Sequence, residues 1–177
     1  SRDGLLSSAK SMLGGESLFT NQFTVENATG TVTFAPPTPG DVMPHELEDE
    51  TLYSTDGAFL AATEGIDIDS EVGGLKSVLS EASLMPLALK GTGTAFIDAY
   101  GGLEKLKLAA GESYVLDNEH LVAWDDEIEY ETRRVGGLKS TLLSGEGLVF
   151  EFTGPGTAWY QTRDLDSFVG TLAPRMP

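Results

Sequence analysis

The 177-residue sequence contains no cysteine. Disulfides, thiolate metal sites and a cysteine nucleophile are therefore excluded. Histidine occurs twice, at His45 and His120. A cupin-type metal centre usually takes several histidines plus a carboxylate, and a Ser-His-Asp triad has little material here. Cations are also scarce: 11 Lys and Arg stand against 28 Asp and Glu, for a net charge of −17. That balance opposes binding to a phosphate backbone or to an anionic membrane surface. The sequence has no apolar run near the roughly 20 residues of a membrane-crossing helix, and no signal peptide is visible. What remains is 40% hydrophobic and 22% charged, a composition able to build a globular core. A cytoplasmic location is the expectation.

The acidic residues are spread along the whole chain rather than gathered in a tail. One reading is an ordinary solvated surface. Another is adaptation to high salt, where screening weakens self-repulsion and carboxylates keep the surface hydrated. The pattern resembles that of halophilic archaeal proteins.

An internal repeat is the strongest signal. Residues 72–77 and 135–140 both read V-G-G-L-K-S, an offset of 63 (135 − 72). The same offset carries G-T-G-T-A-F at 91–96 onto G-P-G-T-A-W at 154–159. A-F-L-A-A-T at 58–63 matches H-L-V-A-W-D at 120–125 at an offset of 62. A looser G-L-L-S-S-A-K-S block begins at Gly4. Three tandem units follow as the expectation: 1–70, 71–133 and an incomplete 134–177. Each is too small to bury much core alone, so they should pack on one another. The hairpin-like segment appears only twice, at about 47–71 and 106–132, and a pseudo-threefold closure would need one more, most naturally upstream of Ser1.

Strand patterns dominate. Residues 19–25, 31–34, 84–89 and 94–97 are short β-branched or aromatic runs. In 148–152, Leu148, Phe150 and Phe152 share one face, with Val149 and Glu151 on the other. Residues 66–70 and 128–132 alternate as well. Gly91 to Gly93, Gly154 to Gly156, Ala110 to Glu112, Thr55 to Gly57, and Asp117 with Asn118 carry turn chemistry. Pro36 to Pro39 reads as a stiff extended connection. The segments after Gly4, Gly74 and Gly137 could form one or two helical turns, with Leu75 and Leu79 as an apolar stripe. The fold class expected is all-β, built from sandwich repeats.

No motif names a reaction. Asp125, Asp126, Glu127, Glu129 and Glu131 could weakly hold a divalent cation, but on a strand Glu129 and Glu131 form one solvated face. Asp67 and Asp69 read the same way. The two G-x-G stretches lack the rest of a phosphate-binding pattern and recur once per repeat, which marks them as hairpin turns. No nucleophile elbow occurs. Lys76 and Lys139 read as covers or ion-pair partners rather than a ligand clamp. Trp124 and Trp159 read as packing residues, with an aromatic pocket as the alternative. The expectation is no catalytic residue, no metal site and no cofactor.

The block from Gly136 to Arg163, G-G-L-K-S-T-L-L-S-G-E-G-L-V-F-E-F-T-G-P-G-T-A-W-Y-Q-T-R, resembles the C-terminal block of the Altered Inheritance of Mitochondria protein twenty-four family. M-L-G-G-E-S-L-F at 12–19 and L-V-A-W at 121–124 fit it too. The resemblance implies a fold like that of the tryptophan-RNA-binding attenuation protein: short double-stranded β-helix units, triplicated in a pseudo-threefold arrangement. It implies no catalytic residues. Nucleic-acid binding does not follow from such a fold, and the charge opposes it.

The function expected is a non-enzymatic β-scaffold that binds protein partners or self-assembles. A small-ligand module with a cleft between repeats near Trp124 or Trp159 is the alternative, and a cupin-like enzyme is a weaker third. A homo-oligomer is expected, on the argument that an unfilled hairpin leaves apolar surface uncovered near Leu148, Phe150 and Phe152. The charge carries its own prediction: the melting temperature should rise from low to molar salt, and a flat profile would remove the high-salt reading.

Overall fold

The computed structural model describes residues 7–10, 19–70, 84–134 and 148–173. The chain divides into two compact units, Ser1–Ala35 and Pro36–Pro177. In the first, β1 (Ser7–Lys10) and β2 (Phe19–Gln22) pair antiparallel, Ser7 opposite Gln22 and Lys10 opposite Phe19. The strand expected at 19–25 ends at Gln22, and the one expected at 31–34 does not form. Val32 and Phe34 are exposed, and β-branched composition without a paired neighbour does not hold a strand. Phe34 instead meets Phe23 edge-on, at 5.8 Å between ring centroids.

The second unit is mostly β, in antiparallel sheets. Its elements are β3 (Val42–Thr55), β4 (Phe59–Ala62), β5 (Ile66–Asp69), β6 (Pro86–Asp98), β7 (Leu103–Leu108), β8 (Ser113–Asp117), β9 (Leu121–Asp125), β10 (Glu129–Arg134), β11 (Leu148–Thr153), β12 (Gly156–Gln161) and a short helix, α1 (Leu165–Leu172). Short 3₁₀ turns, Asp56–Ala58 and Asn118–His120, occupy two of the positions where turn chemistry was read.

One pairing plan is used twice. β6 pairs with β3 along its whole length, with β5 beside its first half and β4 beside its second. Further along, β11 pairs with β8 and β10, and β12 pairs with β7 and β9. Thus β11 and β12 stand where β6 stands, β7 and β8 where β3 stands, β9 where β4 stands and β10 where β5 stands. The two stretches join where Leu52, Tyr53 and Ser54 of β3 pair with Asp125, Trp124 and Ala123 of β9. The described residues do not establish a third copy. Both V-G-G-L-K-S blocks, with Leu75, Lys76, Leu79 and Lys139, and the segment at 12–18 lie outside them.

The G-x-G stretches need a correction. Gly154 to Gly156 is a turn, at the corner where the chain leaves β11 and enters β12. Gly91 to Gly93 is not: it lies inside β6, opposite a bulge in β3 between Glu48 and Glu50. Asp49 there has φ 64°, and Gly91 and Gly93 have φ 121° and 155°. The local geometry differs between the two stretches, because one bent strand pair replaces two strand ends. Thr92 N donates to Gly65 O at 3.2 Å, so β5's turn approaches closely enough that a Cβ on Gly91 would strike the Gly65 carbonyl oxygen.

The core of the later stretch gathers Leu108, Leu116, Leu121, Trp124, Ile128, Phe150, Phe152 and Ala158. The alternation read in 148–152 holds: Phe150 and Phe152 are 0% exposed, stacked at 5.9 Å and met by Tyr130 from β10. The apolar surface expected to lie bare around Leu148, Phe150 and Phe152 is therefore covered. β10 and β8 flank β11 on both sides, and the inward face is filled.

Gly91→Ala should cost about 1–3 kcal/mol, from a strained φ together with the Gly65 contact. Gly111→Ala, also at positive φ (79°) but with nothing within 4 Å, should cost less in the same urea titration. Equal losses would show that the close approach does not matter.

Candidate functional site

The residues first considered for chemistry are held in structural bonds. His120 Nδ1 lies 2.7 Å from Gln161 O. His45 packs edge-on against Trp159 at 5.1 Å. Burial pushes its pKa down, with Glu50 opposing. Asp125 clamps the corner between β9 and β10: Oδ1 accepts from Ile128 N at 3.2 Å and Oδ2 from Thr157 N at 2.7 Å. Glu129 and Glu131 are exposed on β10 while Tyr130 turns inward, as the alternation implied. Among the described residues no group of three or more His, Asp or Glu side chains is placed to hold a metal ion.

Both tryptophans are packing residues. Trp124 is buried and stacks on Tyr53 at 5.5 Å and 22°. Trp159 is buried under Lys105, whose Nζ lies 5.4 Å from the ring. An open depression of 540 Å³ lies elsewhere, walled by Ile128, Glu129, Tyr130, Glu131, Glu151 and Thr153. Glu151 is ion-paired with Arg133.

A second feature escaped the sequence reading. Asp164 caps α1, its carboxylate accepting from Asp166 N at 2.8 Å and Ser167 N at 2.9 Å. Glu119 meets Asp164 across this cap. The adjacent turn is tied down by Gln161, whose Nε2 donates to Glu119 O at 2.9 Å and whose Oε1 accepts from Tyr100 N at 3.0 Å. The hydrogen bond with Asp164, then burial, then the charges of Asp164, Asp117 and Asp166 push the Glu119 carboxyl up to about 7. Burial acts upward on Asp164 as well, but hydrogen bonds from Ser167, Glu119 and Asp166 outweigh it and hold that carboxyl low. One proton is therefore shared between the two at the start of the helix.

From there α1 projects an unusual face. Leu165, Phe168, Val169 and Leu172 follow the i, i+3, i+4, i+7 spacing of one helix face, and all four are exposed, between 39% and 48%. Tyr100 touches Phe168 at 6.1 Å, with Arg163 over its ring. The signal was present in the sequence as an Asp cap before an apolar heptad. It went unread because strand patterns dominate what precedes it.

The shared proton gives a pH dependence with a definite sign. Glu119 has a raised folded pKa, so its contribution to stability is full below about 4.5 and is lost as pH rises through about 7. Glu119→Gln, whose amide donates to Asp164 at every pH, should flatten the melting temperature across that window. The variant should gain on the native chain at pH 8 and match it near pH 4.5. A native profile already flat from 4.5 to 8 would refute the shared proton.

Comparison with known proteins gives one consistent answer. A family model described as Mitochondrial biogenesis AIM24 matches residues 1–163. An uncharacterized protein of Streptococcus pyogenes serotype M6 is 31% identical over 170 residues, which is 95% of this chain and 68% of that protein. A crystal structure of a Streptococcus pyogenes protein is similar at a TM-score of 0.68 and 31% identity, over 80% of this chain. The present chain covers 63% of that solved chain, less than two thirds of its length. Since the family match runs through the strand corners and the Asp125 clamp to Arg163, the chain belongs to the Mitochondrial biogenesis AIM24 family.

Proposed function

We propose that this chain is a non-enzymatic β-scaffold that acts by binding protein partners, in the cytoplasm. The observation that carries the reading is the exposed apolar stripe of α1 on a chain of net charge −17. An exposed stripe at helical spacing, anchored at one end by a cap and by Tyr100, suits a partner's apolar groove. The polar groups best placed for chemistry, His45, His120 and Asp125, are taken up in packing and backbone hydrogen bonds. That supports a role without catalysis.

A small-ligand module is the second reading. The depression beside β10 favours it, and its carboxylates Glu129 and Glu131 suit a cationic ligand.

The test is comparative capture from high-salt lysate with the native chain and with a triple variant, Leu165→Ser, Phe168→Ser and Val169→Ser. These side chains are exposed, so the variant should melt within a few degrees of native. Recovery of specific proteins should fall roughly tenfold or more, the scale on which interface anchors act. Identical capture by a folded variant would remove the reading.

A further inference from the structure

The last strand and the helix after it are held to the rest of the larger unit very differently. Thr162, just past β12, is fixed by backbone and side chain: its N–H donates to Gly102 O at 2.9 Å and its Oγ1 accepts from Gly102 N at 2.8 Å. α1 begins at Leu165 and buries none of its own residues. Side chains hold this segment to the body at Tyr100 and at Glu119. Arg163 lies over the Tyr100 ring at 5.8 Å, and Phe168 packs on it at 6.1 Å. Glu119, from the turn before β9, hydrogen-bonds with Asp164 at the helix start.

The Glu119 contact needs a proton, because two ionised carboxylates offer acceptors and no donor. The Asp164 oxygens already take Asp166 N at 2.8 Å and Ser167 N at 2.9 Å. Those bonds favour its ionised form, so the proton resides on Glu119. Without it, Glu119 confronts Asp164 on the helix start, Asp166 in the first turn of α1 and Asp117 on its own turn. Asp117 Oδ1 accepts from Glu119 N at 3.1 Å, which keeps that carboxylate close. The basic neighbours in sequence are turned elsewhere. Arg163 is on Tyr100, and His120 Nδ1 lies against Gln161 O at 2.7 Å. Asp41, beside the Gly101–Gly102 turn, accepts from Leu103 N at 3.0 Å. Gln161 Nε2 holds Glu119 O at 2.9 Å, so the backbone of the turn stays and the side chains part.

We propose that the Glu119–Asp164 contact is a proton-operated latch on α1, closed while the two carboxyl groups share one proton and open once it leaves. Opening keeps Thr162 on the body and the Asp164 cap on α1, and the helix pivots at Arg163, restrained by Phe168 on Tyr100. This deepens the reading of α1 as a docking face by supplying its regulation, and rests on that reading for its purpose. The closed latch holds the apolar stripe in one orientation, which lowers the ordering cost of docking. The sign follows from the raised Glu119 value: closure is full below about 4.5 and weakens as pH rises through about 7. Linkage over that interval allows a fall of roughly 300-fold in the closing constant, and solvent screening at the exposed Glu119 reduces it to about tenfold.

Amide hydrogen exchange of the full-length chain reads the latch directly. Protection of the α1 amides, expressed against the intrinsic rate at each pH, should fall about tenfold between pH 5 and pH 8. Protection of β12 should stay constant over the same range. Glu119→Gln, whose amide donates at every pH, should keep the high protection of α1 at pH 8. Asp164→Ser retains a capping oxygen but no partner carboxylate, so protection of α1 in this variant should not change with pH. A flat native profile for α1 would overturn the latch, as would a fall of the same size in either variant. A parallel loss in β12 would show global opening and overturn it too. No partner takes part in the measurement, so its outcome is independent of the capture experiment.

Discussion

Everything in the larger unit turns on the three-residue ladder between Leu52–Ser54 and Ala123–Asp125. On either side of it lie two stretches with the same pairing plan, each with strand edges to cover. The ladder converts two edges into an interior seam, and the seam carries an aromatic stack, Tyr53 on Trp124. Trp124 in turn meets Tyr130, which reaches Phe150 and Phe152. Backbone pairing and core packing are thus continuous through one indole. Removing it would weaken both the seam and the core, because the ring fills volume shared by the two.

The bends that bring the strands to this seam are made differently in the two stretches. In the first, β3 and β6 bend together without breaking, using Asp49 at positive φ opposite Gly91 and Gly93. In the second the same bend is a true corner. β7 and β8 are separated by a turn in which Gly111 N donates to Gly154 O at 3.1 Å and Gly154 N to Glu112 O at 2.9 Å. Asp125 closes it by holding the amides of Ile128 and Thr157. Its counterpart at the offset of 62 is Thr63 (125 − 62), whose Oγ1 accepts from Thr94 N at 2.8 Å. A carboxylate with two acceptor oxygens can hold two amides across an open corner, while a single hydroxyl suffices where the strands never part.

The sequence made this architecture legible at the level of spacing more than of local shape. The 63-residue offset relates Phe96 to Trp159, and those positions hold equivalent places in the pairing plan, Phe96 opposite Ala61 of β4 and Trp159 opposite Ala123 of β9. The alternation at 148–152 placed Phe150 and Phe152 on the buried face. Local geometry was less legible, since a G-x-G stretch serves equally as a turn between strands or a bend within one. Residues 31–34 show the converse limit: strand-forming side chains without a partner strand form none. At the candidate site, Trp124 and Trp159 were readable as packing. The Glu119–Asp164 pair was not, because 45 residues separate two carboxylates (164 − 119) that only the fold brings together. The exposed face of α1 was half readable: its periodicity lies in the sequence, but whether another layer covers it does not.

The charge distribution and the free surfaces have one physical logic. At about 0.1 M salt the screening length is near 10 Å, so two chains of −17 repel well before their surfaces touch. Near 1 M it falls to about 3 Å, and only carboxylates at the contact itself then matter. An acidic protein can therefore associate at high salt if its docking surfaces are locally neutral. β5 and β10 carry carboxylates, whereas the apolar stripe of α1 carries no charge. Asp164, Asp166 and Glu119 sit at the cap end of that stripe, where the Asp164 carboxylate holds the free amides of Asp166 and Ser167. The abundant carboxylates thus restrict where contact can occur, and the neutral stripe is what they leave open.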